Sequence, residues 1–310
     1  MTTAKHFKIG TRGSPLALWQ ANTVAARLRE THHLPESAVE LVIIKTSGDM
    51  IQDRALSLAG GKGLFTKEID EALLSGAIDC AVHSAKDMPT AFPEGIAIIG
   101  YLPREDVRDA LISPKYKTLD ALPENGVVGT ASLRRAALIK KLRPDLQTTL
   151  LRGNVDTRLR KANDGEVDAT LLALAGLKRL GLADRATMLL PIDIFPPAVG
   201  QGAVAITSRT HDERMLEAID KIAHKPTGLA LIAERAFLTV LDGSCRTPIA
   251  GYATIDGDTL SMRGLFLAID GTDAYGADAR GSVKDAAQIG EQIARDILKR
   301  VPKELLAQIA

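Results

Sequence analysis

From Phe7 to Tyr101 the sequence alternates short apolar runs with longer amphipathic ones. Phe7 to Thr11, Val39 to Lys45, Ile78 to Val82 and Gly95 to Tyr101 have the length and the β-branched content of strands. Leu16 to Arg29 and Leu64 to Leu74 carry the wider spacing of helix faces. Parallel strands cannot be joined by a tight turn; each pair needs a crossover, and a helix supplies it. The alternation therefore predicts an α/β fold, a mostly parallel sheet with helices on both faces. A chain of 310 residues has room for two or three domains.

Pro103-Arg104-Glu105-Asp106 interrupts the pattern, and a second series begins. Val127 to Thr130 reads as a strand, Ser132 as a cap, and the residues up to Leu142 as a helix. The phrase Gly129-Thr130, Ser132-Leu133 echoes Gly10-Thr11, Ser14-Pro15-Leu16. Two similar α/β domains are expected, their helix starts facing one cleft. Thr148 to Leu151 and Asp168 to Leu174 are further strands, and Ala175 to Leu182 a short helix. Ala198 to Ala203 is rich in glycine and leads into the strand Val204 to Thr207, which suits a chain crossing back to the first domain. Gln201 and Gly202 are the expected hinge. A helix from Thr227 to Leu241, strands Ile249 to Ile255 and Thr259 to Ala268 with a turn at Gly257, and a helix from Asp285 to Arg300 make a smaller α+β domain. The expected boundaries are 1–102 with 200–221, 103–199, and 222–310.

The charged residues gather at particular places in this scheme. Ser14 is placed to cap the first helix, and Pro15 takes its first position, where a missing N–H costs nothing. A helix start offers unpaired N–H groups and the positive end of the dipole. With Arg12 beside it, that start is an anion site. Arg152-Gly153-Asn154 and Arg158 repeat the arrangement at another helix start. Arg12, Arg134, Arg135, Arg152, Arg158 and Arg179 all fall at turns or helix starts. Arginine captures carboxylates and phosphates through paired N–H bonds, so a ligand with many negative groups is expected. The residues alone fit a polyphosphate as well as a polycarboxylate. Gly60-Gly61-Lys62-Gly63 closes a long aperiodic connection and reads as the hinge of a lid carrying Lys62, with Phe65 facing either core or ligand. Its spacing is not that of a phosphate-binding P-loop.

The stretch Ile78 to Pro93 is the centre of the reading. A short apolar strand turns polar at His83, Ser84, Lys86 and Asp87, and Met88-Pro89 stops it. A rigid strand thus delivers a carboxylate and an ammonium to the carboxyl edge of a sheet, where α/β proteins keep their ligands. His83 is expected to be structural.

Composition narrows the partners. A formal net charge of +1 gives no reason to expect nucleic acid or a membrane surface. The N-terminus lacks the apolar core of a signal peptide, and no apolar run reaches membrane-spanning length. Two cysteines, Cys80 and Cys245, make a disulfide framework unexpected and point to a reduced, cytoplasmic setting. Nothing in the sequence shows a large spare apolar surface, so a monomer is expected. Cys80 lies within an apolar run and reads as core. Cys245, in Asp242-Gly243-Ser244-Cys245-Arg246, reads as nucleophile, attachment point or bystander. Ligand spacing for a metal is absent from the sequence.

Six motifs in order carry a resemblance. They are Thr11-Arg12-x-Ser14-Pro15-Leu16-Ala17-Leu18, Gly60-Gly61-Lys62-Gly63-Leu64-Phe65 and Ala81-Val82-His83-Ser84-x-Lys86-Asp87, followed by Gly129-Thr130-x-Ser132-Leu133-Arg134-Arg135, Arg152-Gly153-Asn154-Val155-x-Thr157-Arg158 and Ala175-Gly176-Leu177-Lys178-Arg179-Leu180. Together they resemble the hydroxymethylbilane synthase (porphobilinogen deaminase) family over nearly the whole chain. Ala131 stands where the family often has serine, Ser244 where glycine often precedes the cysteine, and Asp156 at a variable loop position.

The resemblance implies two periplasmic-binding-protein-like (type II) α/β domains plus the smaller C-terminal one. It implies one dipyrromethane cofactor per chain, held by a thioether on Cys245. It implies that four porphobilinogens are joined head to tail with loss of ammonia, and that hydroxymethylbilane is released by hydrolysis. Each pyrrole carries an acetate and a propionate, which gives the arginines their purpose. Loss of ammonia leaves an electron-poor azafulvene, and Asp87 is the group expected to stabilise the cation and move protons. Ser14, Ser84, Lys86, Asp87, Thr130, Ser132, Arg134, Arg135 and Arg158 carry over as cofactor binders. Arg12, Arg152, Arg158, Arg179, Lys62 and Phe65 carry over as substrate binders. A solute-binding module and a phosphate-handling transferase are the rivals. The first needs no cysteine, and the second needs an acidic metal cluster that the sequence lacks.

Overall fold

A computed structural model describes residues 6–50, 66–241 and 247–307. Lys62, Phe65 and Cys245 therefore lie outside the described residues. The chain opens with β1 (Phe7–Thr11), α1 (Pro15–Thr31), β2 (Val39–Ile43), the single turn α2 (Ser47–Met50), α3 (Lys67–Leu74), β3 (Cys80–Ser84) and β4 (Ile96–Tyr101). It continues through β5 (Asp109–Ile112), β6 (Val127–Gly129), α4 (Leu133–Leu142), β7 (Gln147–Thr149), α5 (Val155–Asn163), β8 (Ala169–Ala173), α6 (Leu174–Arg179) and β9 (Met188–Leu189). It returns with β10 (Val204–Arg209), α7 (Glu213–Asp220) and α8 (Lys225–Val240). It ends with β11 (Ile249–Asp256), β12 (Thr259–Leu267), β13 (Ala274–Ser282), α9 (Ala286–Leu298) and α10 (Lys303–Ala307).

The described residues divide into two compact units. Residues up to 105 and 202–228 form the first; 106–201 and those from 229 onward form the second. The first holds a five-stranded sheet in the order β2-β1-β3-β10-β4. β1 runs parallel to β2 and β3, while β10 lies antiparallel between β3 and β4. The predicted return strand is thus present, and it is the reversed member of an otherwise parallel sheet. Both faces are covered. Phe7, Ile9, Val82 and Ile206 pack with Val24 and Leu28 of α1 and Ile219 of α7. Ala81 faces the other way, with Ile69 and Leu73 of α3. In α1 the buried positions Ala17, Ala21, Val24, Ala25 and Leu28 recur at helical spacing, which is why this run folds as a helix.

The second unit repeats the plan. Its five-stranded sheet runs β7-β6-β8-β5-β9, with β6 parallel to β7 and β8 and β5 reversed against β8. β6, β7, β8 and β5 hold the places of β1, β2, β3 and β10. The echo between Gly10-Thr11 and Gly129-Thr130 therefore marks equivalent strands. The same unit carries a three-stranded antiparallel sheet, β11-β12-β13, against which α9 lays its apolar stripe. Buried Glu234 of α8 accepts the N–H groups of Gly200 and Ala253, both at 2.8 Å. The strand β13 was not anticipated. Its side chains are small or polar and mostly half-exposed, so it carries no apolar signal.

Gly202 is at φ +86°, and a Cβ there would sit 2.4 Å from the backbone oxygen of Glu105. Glu105 in turn donates its N–H to the Gly202 carbonyl at 3.1 Å. Gly202→Ala is expected to destabilise the first unit by about 2–4 kcal/mol, from left-handed backbone strain plus a backbone clash. Denaturant unfolding measures this, and a loss below about 0.5 kcal/mol, the scale of an ordinary surface change, would contradict it.

Candidate active site

The parallel pairing of β1 with β3 builds the site in the first unit. Gly10 is level with Ala81, so both strands leave the sheet at the same edge within a few residues. From β1 come Arg12 and Ser14. The Ser14 hydroxyl accepts the Ala17 N–H at 3.4 Å and caps α1, with Pro15 at its first position, as the sequence predicts. β3 runs two residues further than expected, to Ser84, and a single 3-10 turn, Ala85 to Asp87, follows. The Ala85 N–H is held by the Ala203 carbonyl at 3.0 Å, which fixes that turn against the entry to β10. A cavity of about 80 Å³ lies at this edge, lined by Arg12, Ser14, His83, Ser84, Asp87 and the α1 residue Gln20, among others. Asp87 is exposed on its wall, and Lys86 is half-buried beside it.

Several wall residues were not anticipated. Gln20 is buried and donates to the Ser84 hydroxyl oxygen at 2.9 Å. That leaves the hydroxyl proton of Ser84 free to donate elsewhere. Thr66 and Met88 also line the cavity. Asp70, buried on α3, accepts a hydrogen bond from Thr66, and its Oδ1 has no hydrogen-bond partner among the described residues. Burial pushes the Asp70 carboxyl up to about 6. Asp70 is buried by the packing of α3, which no residue near it in sequence announces.

His83 is buried, with Nε2 3.2 Å from the Thr207 hydroxyl of β10. Burial, helped by the Arg12 guanidinium, pushes the imidazole down to about 4. The folded protein therefore keeps His83 neutral while the unfolded chain takes up a proton below about 6.5. The stability held by neutral His83 is present above that value and is lost as pH falls towards 4. Asp70 has the opposite sign: its raised value gives stability in acid that is lost as pH rises through about 6. Wild type and His83→Gln, unfolded in denaturant at pH 7 and at pH 4, should separate the two. The wild-type advantage is expected to shrink by about 3 kcal/mol at the lower pH. An advantage independent of pH would refute the assignment.

In the second unit β6 and β8 leave at one edge, and β5, being reversed, begins there: Asp109 is level with Ala173. The Thr130 hydroxyl accepts the Ser132 N–H at 3.1 Å, and Ser132 caps α4 through the Arg135 N–H at 3.4 Å. Neither Arg134 nor Arg135 presents an open guanidinium face. Both are buried, at 4% and 5% exposure, and both bind Asp109, which is fully buried. Arg134 Nη2 lies 2.6 Å from Asp109 Oδ2, and Arg135 Nη2 lies 2.6 Å from Oδ1. The carbonyls of Pro196 and Leu171 each take a further N–H from the pair, at 2.7 and 2.9 Å. The Phe195 ring lies under Arg134, 5.7 Å from centroid to guanidinium carbon. Burial raises the Asp109 carboxyl, but the two guanidiniums win and hold it well below the usual carboxylate range. Asp109 escaped the sequence reading because its partners are 25 and 26 residues away. Its one local signal is an acid opening an apolar strand.

Arg152 and Arg158 flank the turn that opens α5 and are half-buried. Arg158 Nε donates to the Gly153 carbonyl at 2.9 Å, and Asn154 caps the helix. Gly153 is at φ +122°, and a Cβ there would meet Thr157 at 2.6 Å, so this turn requires glycine. Arg179 is the last residue of α6, where the chain enters the following turn, so no helix N-terminus assists it in holding an anion. Ala131 is exposed. Among the described residues, no cluster of three or more His, Cys, Asp or Glu side chains is arranged to hold a metal ion, and no helix is long and apolar enough to cross a membrane.

Comparison with known proteins gives a consistent result. Residues 7–217 match the family model described as porphobilinogen deaminase, dipyromethane cofactor binding domain. Residues 229–299 match the porphobilinogen deaminase C-terminal domain. The porphobilinogen deaminases of Nitrobacter hamburgensis and Nitrobacter winogradskyi are each 54% identical over 302 residues, covering 97% of this chain and 96% of theirs. Among solved structures, the methionine binding protein MetQ aligns with 16% identity and a TM-score of 0.45, covering 71% of this chain and 89% of its own. A periplasmic substrate-binding protein of an ABC transporter from Coxiella burnetii gives 16% and 0.45, covering 74% and 96%.

Proposed function

The chain belongs to the porphobilinogen deaminase family, and on that premise we propose which of its residues carry the reaction. The protein is a transferase of tetrapyrrole biosynthesis, a hydroxymethylbilane synthase that uses a dipyrromethane cofactor. Four porphobilinogens are condensed head to tail. At each addition a C–N bond of the aminomethyl group breaks and ammonia leaves. A new C–C bond forms to a pyrrole α-carbon, which gives up its proton. Water takes the final position and hydroxymethylbilane is released.

The cavity at the β1/β3 edge carries the reading, because it sets one carboxylate, Asp87, among Arg12, Ser14 and Ser84. Asp87 opposes the positive charge that develops on pyrrole nitrogen and receives the α-carbon proton. Arg12 takes a substrate carboxylate, and Ser14, Ser84 and Lys86 orient the acid side arms of the cofactor. In the second unit Thr130, Ser132, Arg134, Arg135 and Arg158 are assigned to the cofactor, and Arg152, Arg158 and Arg179 to substrate. Lys62 and Phe65 are assigned to substrate through the lid.

The residues fit the cofactor. Two guanidiniums share one buried carboxylate, leaving one positive charge, and Arg134 Nε is buried without a hydrogen-bond partner among the described residues. A buried cation cluster of that kind is answered by one carboxylate from a ligand. When bound, dipyrromethane supplies the tethered pyrrole carbon from which the chain grows. Its attachment is assigned to Cys245. The other cysteine, Cys80, is buried in β3, where burial pushes its thiol well above the usual range and out of nucleophilic use.

Three domains are read, 1–102 with 200–221, 103–199 and 222–310, one for each sheet. The presence of only two cysteines supports a cytoplasmic setting, and the protein is read as a monomer. The purified protein should exceed its sequence mass by two pyrrole units and convert porphobilinogen to hydroxymethylbilane. Turnover by protein of exactly sequence mass would overturn this assignment.

A further inference from the structure

The following rests on the assignment of Arg134 and Arg135 to the cofactor. We infer that Asp109, assisted by Gln201, is a positioning residue that holds these two guanidiniums in the register the cofactor's carboxylates require. Asp109 opens β5 at the sheet edge where α4 begins, because β5 runs against β8. Its Oδ2 accepts from Arg134 Nη2 at 2.6 Å. Its Oδ1 accepts from Arg135 Nη2 at 2.6 Å, from Arg135 Nε at 3.2 Å and from Gln201 Nε2 at 3.0 Å. Oδ1 thus takes three donors and Oδ2 one. Asp109 is fully buried behind these donors, out of reach of an ammonium, a pyrrole N–H or bulk water, and it acts through the arginines.

The geometry assigns each partner a separate task. Arg135 meets Asp109 with its Nε and Nη2, a two-pronged contact that fixes the plane of the guanidinium. Arg134 meets it with Nη2 only, which leaves Nε–H unspent. Gln201 also donates to the Val107 carbonyl at 2.8 Å, so its amide pins the segment leading into β5 as well as the carboxylate. Without Asp109, two adjacent buried cations repel and swing apart. With Asp109 they stay together and keep one surplus positive charge.

The test follows cofactor loading directly. Protein made in cells unable to produce porphobilinogen is mixed with porphobilinogen, and the gain of two pyrrole units is timed by intact mass. Asp109→Glu keeps the charge but moves the carboxylate by one methylene. It is expected to fold, with thermal unfolding near wild type, and to load at least tenfold more slowly. A residue serving stability alone would be rescued by this variant, so a folded Asp109→Glu that loads at the wild-type rate overturns the inference. If that variant does not fold, Gln201→Met decides: all charges remain, loading slows about threefold if the pair positions the arginines, and an unchanged rate refutes it. Arg135→Ala separates the two levels. If Arg135→Ala loads normally, the assignment of these arginines to the cofactor fails. If it loads slowly while Asp109→Glu loads normally, only the positioning role fails.

Discussion

Cys245→Ser is expected to yield a protein whose intact mass equals its sequence mass and which forms no measurable hydroxymethylbilane. A serine hydroxyl is not deprotonated near neutral pH and cannot form the thioether, whereas a thiol is a few pH units from its thiolate. The tether matters because it makes each condensation intramolecular. Holding two reactants together is worth effective concentrations of about 10⁵ M or more, so its loss should lower turnover by at least ~10³. The control is Cys80→Ala. Cys80 is fully buried in β3, so this variant should lose some stability and keep the full mass excess. A Cys245→Ser protein that still carries two pyrrole units, or a Cys80→Ala protein that lacks them, would reverse the assignment.

Asp87→Ala is expected to retain the mass excess and lose about 10²–10³ in kcat, with a much smaller change in KM. Asp87 is exposed at the end of the turn after β3, in a cavity that also holds Arg12. In water a lone carboxylate stabilises a nearby cation weakly. Once substrate displaces that water, the same carboxylate acts at low dielectric, and its effect grows several-fold. The loss should therefore fall on the chemical step and not on binding. Asp87→Asn keeps the shape and removes the charge, and it should lose nearly as much as the alanine variant. A rate within threefold of wild type in either variant would remove Asp87 from the mechanism.

Much of the first unit was legible because its signals are local. Ser14 and Pro15 announce the start of α1 within four residues, since a cap bonds to a backbone N–H three positions on. The polar turn after β3 is announced by Met88-Pro89. The echo of Gly10-Thr11 in Gly129-Thr130 pointed to two like sheets, and they share one strand order. The reversed direction of β5 and β10 was not legible, because a strand's own residues do not record which neighbour it joins or in which sense. Arg179, read as lying at a turn or helix start, is the last residue of the short helix that the sequence predicts there.

Residue order by itself settled the class of fold, the places where helices begin and the residue types held near the sheet edges, since each depends on contacts a few positions apart. Only the folded chain decided that Arg134 and Arg135 are held together by Asp109, that Gln20 donates to Ser84, and that His83 stays neutral. Those facts come from burial and from partners brought across the chain. Removal from water, and not sequence neighbourhood, sets what a charge or a hydroxyl can do.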